Sequence, residues 1–377
     1  MAGTILDRKL TTGHPGRAAF KLATPADDAS LRRLLRENPM AGRIALTFER
    51  EPNYFADAGL PGIENQTIIA NEDGRVVCVG NCAIRKRFVN GQVHSVGYLG
   101  GLRLDAQVAG RFDILRRGYE FFRKLQADKP ADFYFTSIAA DNAPARKFLE
   151  RGLPGMPAYE FIGEFVTALL PVKSFIPVRA GLKMDNLDFN ELLECLDKHG
   201  RSYQFAACWS ERELSALQSL NLKTDDFRTV RDGGRILACA ALWDQRTFKQ
   251  TVICGYAPWL TATRPMVNFA AGILGTPRLP AVGSMLAHAF LSHFAIAPEK
   301  MDTLHELVLK LCALAGERGL EFLTLGFAAN DPRLAIIRAR FKRREYCSRI
   351  YIVRWPNMGG AASQLDDRVL QPELALL

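Results

Sequence analysis

The residues whose types and spacing could do chemistry begin with the loop Gln107-Val108-Ala109-Gly110-Arg111-Phe112 and the helical pattern behind it. The first N–H groups of a helix have no internal partner and carry partial positive charge. They can hold a pyrophosphate where a turn lets the backbone come close. Gly110 permits that approach and Arg111 offers a further donor. The same residues also read as ordinary turn chemistry in a β-α unit, with Arg111 a solvated cation. Upstream, Tyr98 stands beside Gly100-Gly101. Pointing into a cleft it could transfer a proton, and pointing into a core it would only pack. Asn142 either touches a bound ligand or only caps the helix after it.

These positions depend on the elements around them. Val93, Val96, Tyr98, Leu99, Leu102 and Leu104 read as a strand over Gln92 to Leu104. Adjacent glycines inside it predict a bulge or a close backbone approach. Ile114, Leu115, Tyr119 and Phe122 then recur at helical spacing, with Arg116, Arg117 and Lys124 between them. Phe133 to Ile138 is a second strand signal. Asp141-Asn142-Ala143-Pro144 follows as a helix cap with proline in the first turn, and Gly152 ends that helix.

In order and spacing these units resemble the GCN5-related N-acetyltransferase (GNAT) superfamily, in the form of a bacterial-type tandem-domain member. There the strand before the loop carries a bulge, the loop reads Q/R-x-x-G-x-G/A and holds the pyrophosphate of acetyl-CoA, and the next strand leads into an Asn-x-x-Ala helix. The resemblance implies acetyl-CoA, or another acyl-CoA, as co-substrate and no metal. It implies that Leu102, Arg103, Leu104, Gln107, Val108, Ala109, Gly110, Arg111, Phe112 and Asn142 bind the cofactor. It further implies transfer of an acetyl (acyl) group to an amine on a small molecule or peptide.

Two departures bear on the reaction. Phe112 stands where the loop ends in a small residue, and either crowds the phosphates or turns inward. Phe148 stands where a tyrosine often serves as general acid, and a phenyl ring donates no proton. The family often places a glutamate base on the strand before the loop, and none stands there. Tyr98 is the catalytic candidate that remains, with His94 and Ser95 nearby. The two phenylalanines favour an alternative, a catalytically inactive protein that binds acyl-CoA or a partner.

With 377 residues, 48% hydrophobic and 24% charged, the chain can bury a large core without staples. Its eight cysteines are scattered among apolar residues with no Cys-x-x-Cys pair, which predicts buried thiols rather than disulfides or zinc. No apolar run reaches a membrane span and the first residues lack an apolar signal core, so a cytoplasmic protein without a membrane partner is expected. A net charge of +9 suits polyanions such as coenzyme A or nucleic acid. The basic groups, Arg85-Lys86-Arg87 among them, read as solvated faces, and no nucleic-acid motif accompanies them. Nothing in the sequence specifies an oligomeric state.

Antiparallel strand signals followed by strand–helix units predict an α/β fold with mixed, mostly antiparallel sheets flanked by helices. Ala18 to Leu22 reads as a first strand, Thr24-Pro25 as a helix start, and Asn53 to Asp57 as a short helix. The second half reads as a diverged copy. Ala139-Ala140-Asp141-Asn142-Ala143-Pro144 is echoed by Ala328-Ala329-Asn330-Asp331-Pro332, and Asp73-Gly74-Arg75 by Gly233-Gly234-Arg235. Extra residues of the second copy fall in Pro258 to Pro280, rich in Pro, Gly and Thr. The copy lacks the phosphate loop, and Glu299 and Asp302 would repel phosphate there. The expected organisation is two tandem GNAT-like domains. Residues 1–172 bind acyl-CoA, residues 173–356 form a degenerate copy, and residues 357–377 form a tail whose last residues, Leu370 to Leu377, dock on the body.

Overall fold

Two turns set the register of the first half. Asp73-Gly74 and Asn90-Gly91 all have positive φ, the backbone of the two-residue turn whose twist matches its flanking strands. They join β3 (Ile63–Glu72) to β4 (Arg75–Val89) and β4 to β5 (Gln92–Leu104). The structure, a computed structural model, describes residues 18–172, 187–232, 234–274, 278–355 and 365–377. The expected leader before Ala18, most of the bridge after Pro171, Gly233, and the start of the tail lie outside the described residues.

Around that meander the first half adds β1 (Ala19–Leu22), α1 (Asp28–Glu37), β2 (Ile44–Glu49), α2 (Phe112–Leu125), β6 (Phe133–Ala139), α3 (Ala143–Leu149) and β7 (Ala158–Pro171). The second half runs α4 (Phe189–Gly200), α5 (Glu211–Ala216), β8 (Phe227–Asp232), β9 (Arg235–Trp243), β10 (Gln250–Tyr256), α6 (Pro258–Ile273), β11 (His288–Ile296), α7 (Thr303–Glu317), β12 (Phe322–Ala328), α8 (Pro332–Arg340) and β13 (Arg344–Arg354). The stretch marked as an insertion by its composition is thus largely helical. The expected helix at Asn53 to Asp57 is instead a series of turns. The backbone bonds there close successive turns, Ala56 N–H to Asn53 C=O at 3.2 Å and Ala58 N–H to Phe55 C=O at 2.9 Å, while Asn53 Oδ1 accepts from Phe55 N–H at 2.8 Å and Asp28 Oδ1 from Tyr54 N–H at 2.7 Å.

The main sheet has 11 strands in the order β1-β3-β4-β5-β6-β13-β7-β12-β11-β9-β8. Among the described strands only β5–β6 and β11–β12 pair in parallel. The halves exchange strands at the centre: β13 lies between β6 and β7, and β7 lies between β13 and β12. A second link is the two-stranded sheet of β2 with β10.

Each half covers its sheet with the helix that makes its parallel crossover, α2 between β5 and β6 and α7 between β11 and β12. Ile114, Phe121 and Phe122 of α2 are buried against the first half, and Leu304, Leu307, Val308 and Leu311 of α7 against the second. The opposite face of β5 and β6 packs on Phe205, Val369, Leu370 and Leu374, so residues from the far end of the chain close the first half.

Candidate functional site

The β5–β6 ladder stops halfway. Pairs run from Val96–Phe133 to Leu99–Thr136, while β5 continues to Leu104 and β6 to Ala139. From Gly100 to Leu104, no strand among the described residues pairs with β5 on its β6 side. The split coincides with a bulge, because the β4–β5 register shifts between Asn81–Gly100 and Val79–Arg103. Gly101 takes φ +65 there, a backbone that glycine tolerates. Thr136 Oγ1 donates to Leu99 C=O at 2.6 Å and pins the last closed rung. Beyond it lies an open strand edge, able to pair with an extended amide-bearing ligand.

That edge leads directly into the loop. Asp105 Oδ1 accepts from Gln107 N–H at 3.0 Å and starts a single 3-10 turn over Ala106–Val108. Val108 is buried beneath it together with Leu102 and Leu104. Gly110 follows at φ +83 with open space where a Cβ would stand. Arg111 is the extended N-cap of α2. Its guanidinium is tied to Glu72 at 2.9 Å and to Asp113 at 3.0 Å. The loop therefore offers backbone N–H groups and a helix end, with its one cation already engaged by two carboxylates. Arg103 donates to Leu102 C=O at 2.8 Å, and Gln107 is exposed at the loop surface.

Phe112 turns inward. Its ring meets Phe148 edge-on at 5.3 Å, bridging α2 and α3 beside Tyr119 and Leu153. The two positions that depart from the family pattern thus complement each other across one groove. Asn142 caps α3, its Oδ1 accepting from Ala145 N–H at 3.2 Å.

Tyr98 points to the face of the sheet away from α2, its ring 5.1 Å from that of Phe135. Burial pushes its hydroxyl up to about 12, against the pull of the Arg87 and Arg103 charges. His94, at the far end of the strand, faces Asp132 at 3.4 Å.

The same face holds residues that sequence reasoning missed. Arg85 and Arg87 are 3% and 1% exposed, which corrects their reading as solvated; only Lys86 between them reaches solvent. Strand alternation puts both on one side of β4, and there the second half covers them. Arg85 lies 4.2 Å over the Trp209 ring and 3.3 Å from Glu213. Arg87 donates to Phe205 C=O at 3.0 Å. The C-terminal segment brings Glu373 alongside. Burial raises its carboxyl to about 7, although the His293 amide and the Arg85 and Arg87 charges hold it down. The period of two in Arg85 and Arg87 was the available signal; Glu373 gave none.

The second half repeats the split and then fills it. β11–β12 pairing ends at Phe290–Thr324, and β11 bulges between Ser292 and Ala295. His293 N–H donates to Glu373 at 2.9 Å and Gln371 donates to Phe294 C=O at 3.1 Å, so the tail occupies the groups the bulge frees. Where a phosphate loop would be, a 3-10 turn over Pro298–Lys300 leads to Asp302, the N-cap of α7. His288 and His293 are buried. His288 bonds Thr324 Oγ1 at 2.9 Å, and His293 stacks on Trp209 at 3.9 Å.

All eight cysteines are free thiols, five of them buried. Among the described residues no group of three His, Cys, Asp or Glu is arranged to hold a metal ion, and no helix is long and apolar enough to cross a membrane.

No family model matches the chain. No curated protein matches it either. Solved structures do. Saccharomyces cerevisiae N-myristoyltransferase with bound myristoyl-CoA is 12% identical over 96% of this chain and 90% of that one, with a TM-score of 0.61. A GCN5-related N-acetyltransferase from Sphaerobacter thermophilus is 13% identical over 90% and 96%, at 0.52. A tandem GNAT protein from the clavulanic acid biosynthesis pathway is 13% identical over 89% and 98%, at 0.51. At such identities the likeness is one of fold.

Proposed function

The chain has the GNAT-superfamily fold, and from that premise we propose that residues 1–172 bind an acyl-CoA and transfer its acyl group to an amine. The observation that carries this reading is the split β5–β6 ladder leading into the Gly110 turn. An open strand edge can take the amides of a pantetheine arm, and the helix end beyond it can take the pyrophosphate. The degenerate half, residues 173–356, has its own split occupied by the tail and shapes the acceptor side instead. Acetyl-CoA is the simplest donor, and a small molecule or peptide carries the amine. Buried thiols fit a cytoplasmic place of action.

The reaction joins the amine nitrogen to the thioester carbonyl carbon and breaks the carbon–sulfur bond. Holding both partners in one cleft supplies much of the acceleration. The attacking nitrogen loses a proton and the departing thiolate gains one. Glu373, at about 7, is the carboxylate suited to accept the first. Tyr98 keeps its proton at neutral pH and is suited to donate the second, the role that Phe148 cannot fill.

A second reading is favoured by the Phe112–Phe148 contact and by the pairing of Arg111 with Glu72 and Asp113. These narrow the groove and spend the loop's cation, as in a protein that binds acyl-CoA weakly or binds a partner without turnover. Calorimetric titration with acetyl-CoA, beside a Gly110→Asp variant, tests the first reading. Saturable binding that the variant loses supports it. No binding by the natural chain sinks it and leaves the second.

A further inference from the structure

Helix α6 is apolar on two opposite faces. Leu260 and Ala271 are buried against the body. On the other side Trp259, Ala262, Met266, Phe269 and Ile273 follow each other at steps of three and four residues, which is one continuous stripe of a helix. Trp259 is 58% exposed and Met266, Phe269 and Ile273 are 72–75% exposed, and Leu274 extends the stripe past the helix end. A soluble surface seldom keeps so many large apolar side chains in a row uncovered.

The charge around the stripe says what covers it. From Gln245 to Pro298 the sequence carries no Asp or Glu. Four arginines ring the helix. Arg43 C=O accepts from Ala257 N–H at the helix start, at 2.9 Å. Arg264 lies on the body side of the helix, donating to Leu279 C=O at 3.4 Å with its guanidinium 5.6 Å from the Tyr256 ring, and Arg344 also bears on that tyrosine. Arg278 lies against Gly272 near the helix end. Among the described residues none of the four pairs with a carboxylate, while most arginines elsewhere in the chain do. An apolar stripe flanked by unpaired cations and free of carboxylates fits the boundary between acyl chains and anionic headgroups. A second copy of this chain would bring Arg43, Arg278 and Arg344 to the same face, like charge against like.

We propose that α6 lies flat on an anionic lipid surface, with Trp259, Met266, Phe269 and Ile273 in the acyl boundary and Arg43, Arg278 and Arg344 at the headgroups. The proposal needs no spanning helix, since α6 rests on the bilayer without crossing it.

The test is sedimentation of the full chain with vesicles of phosphatidylcholine alone and of phosphatidylcholine mixed with phosphatidylglycerol. The variant is Met266→Glu with Phe269→Glu, both at exposed positions, with its fold checked by thermal melting. The expected result is binding to the anionic vesicles that weakens as salt rises, and a loss of about tenfold or more in the variant. Failure of the natural chain to bind anionic vesicles overturns the proposal, as does undiminished binding by a folded variant. A natural chain that ignores vesicles but sediments as a dimer, which the variant makes monomeric, also overturns it and assigns the stripe to a contact between copies.

Discussion

The ring of Tyr98 folds back over Gly100: a Cβ at residue 100 would stand 2.6 Å from Tyr98 Cε1. The glycine is therefore required by the tyrosine two residues before it, on the same face of the strand. Gly100→Ala must displace the ring or the bulge. We expect a loss of about 1–3 kcal/mol in urea unfolding, the range for overpacking, and weaker acyl-CoA binding in the same variant. Tyr98→Phe removes only the hydroxyl. On the proposed mechanism it lowers kcat and leaves KM nearly unchanged, whereas equal activity would reduce Tyr98 to packing.

Glu373 gives the protein a pH dependence of defined sign. Its carboxyl titrates at about 7 in the folded chain against an ordinary 4.5, chiefly because it is buried. The folded state therefore keeps this proton longer than the unfolded state does. The associated stability is complete below about pH 4.5 and is lost as pH climbs to 7. Melting curves of the natural chain should decline across that window more steeply than those of Glu373→Gln. If Glu373 is also the base, transfer should rise with pH through about 7, and the glutamine variant should lose about 100-fold or more in rate.

The ties between Arg111, Glu72 and Asp113 predict an unusual gain. Glu72→Gln and Asp113→Asn each remove a negative charge from the loop, and together they free the guanidinium. Calorimetry should show acyl-CoA binding several-fold tighter in the double variant, with the gain shrinking at high salt. Unchanged affinity would show that the phosphates do not approach this loop.

Arg85 and Glu213 allow the buried centre to be dissected. Glu213→Gln keeps the cap of α5, in which Ser210 N–H donates to residue 213 at 2.8 Å, but leaves buried Arg85 without its directly bonded countercharge. A loss of about 3 kcal/mol or more is expected in urea unfolding. Arg85→Met removes the buried cation and should cost less. The double variant should recover part of the loss of Glu213→Gln, which simple additivity would forbid.

What the sequence revealed followed from local chemistry. Asn90-Gly91 specifies a hairpin by its own backbone preferences, Gly100-Gly101 marks a bulge by lacking side chains, and Asn142 caps its helix within three residues. What it concealed depends on distant partners. Arg85 looks like one of three surface cations until Glu213, 128 residues away, and Trp209 cover it. Glu373 lies 80 residues from His293 and farther still from Tyr98, so no spacing could join it to the cleft. Ile44 to Glu49 escaped notice as a strand because its partner is β10, in the other half. The direction of Phe112 was undecidable locally and was settled by Phe148 on a different helix.

The exchange of β7 and β13 means that the backbone between the halves is not what keeps them together. Each half lends one strand to the other's sheet, like two hooked fingers. A single cut between residues 172 and 187 would leave both fragments interlocked through the β6–β13, β13–β7 and β7–β12 ladders. During synthesis the opposite holds. The first half's sheet cannot close until residue 354 has left the ribosome, because β13, the strand made last, is what joins β6 to β7.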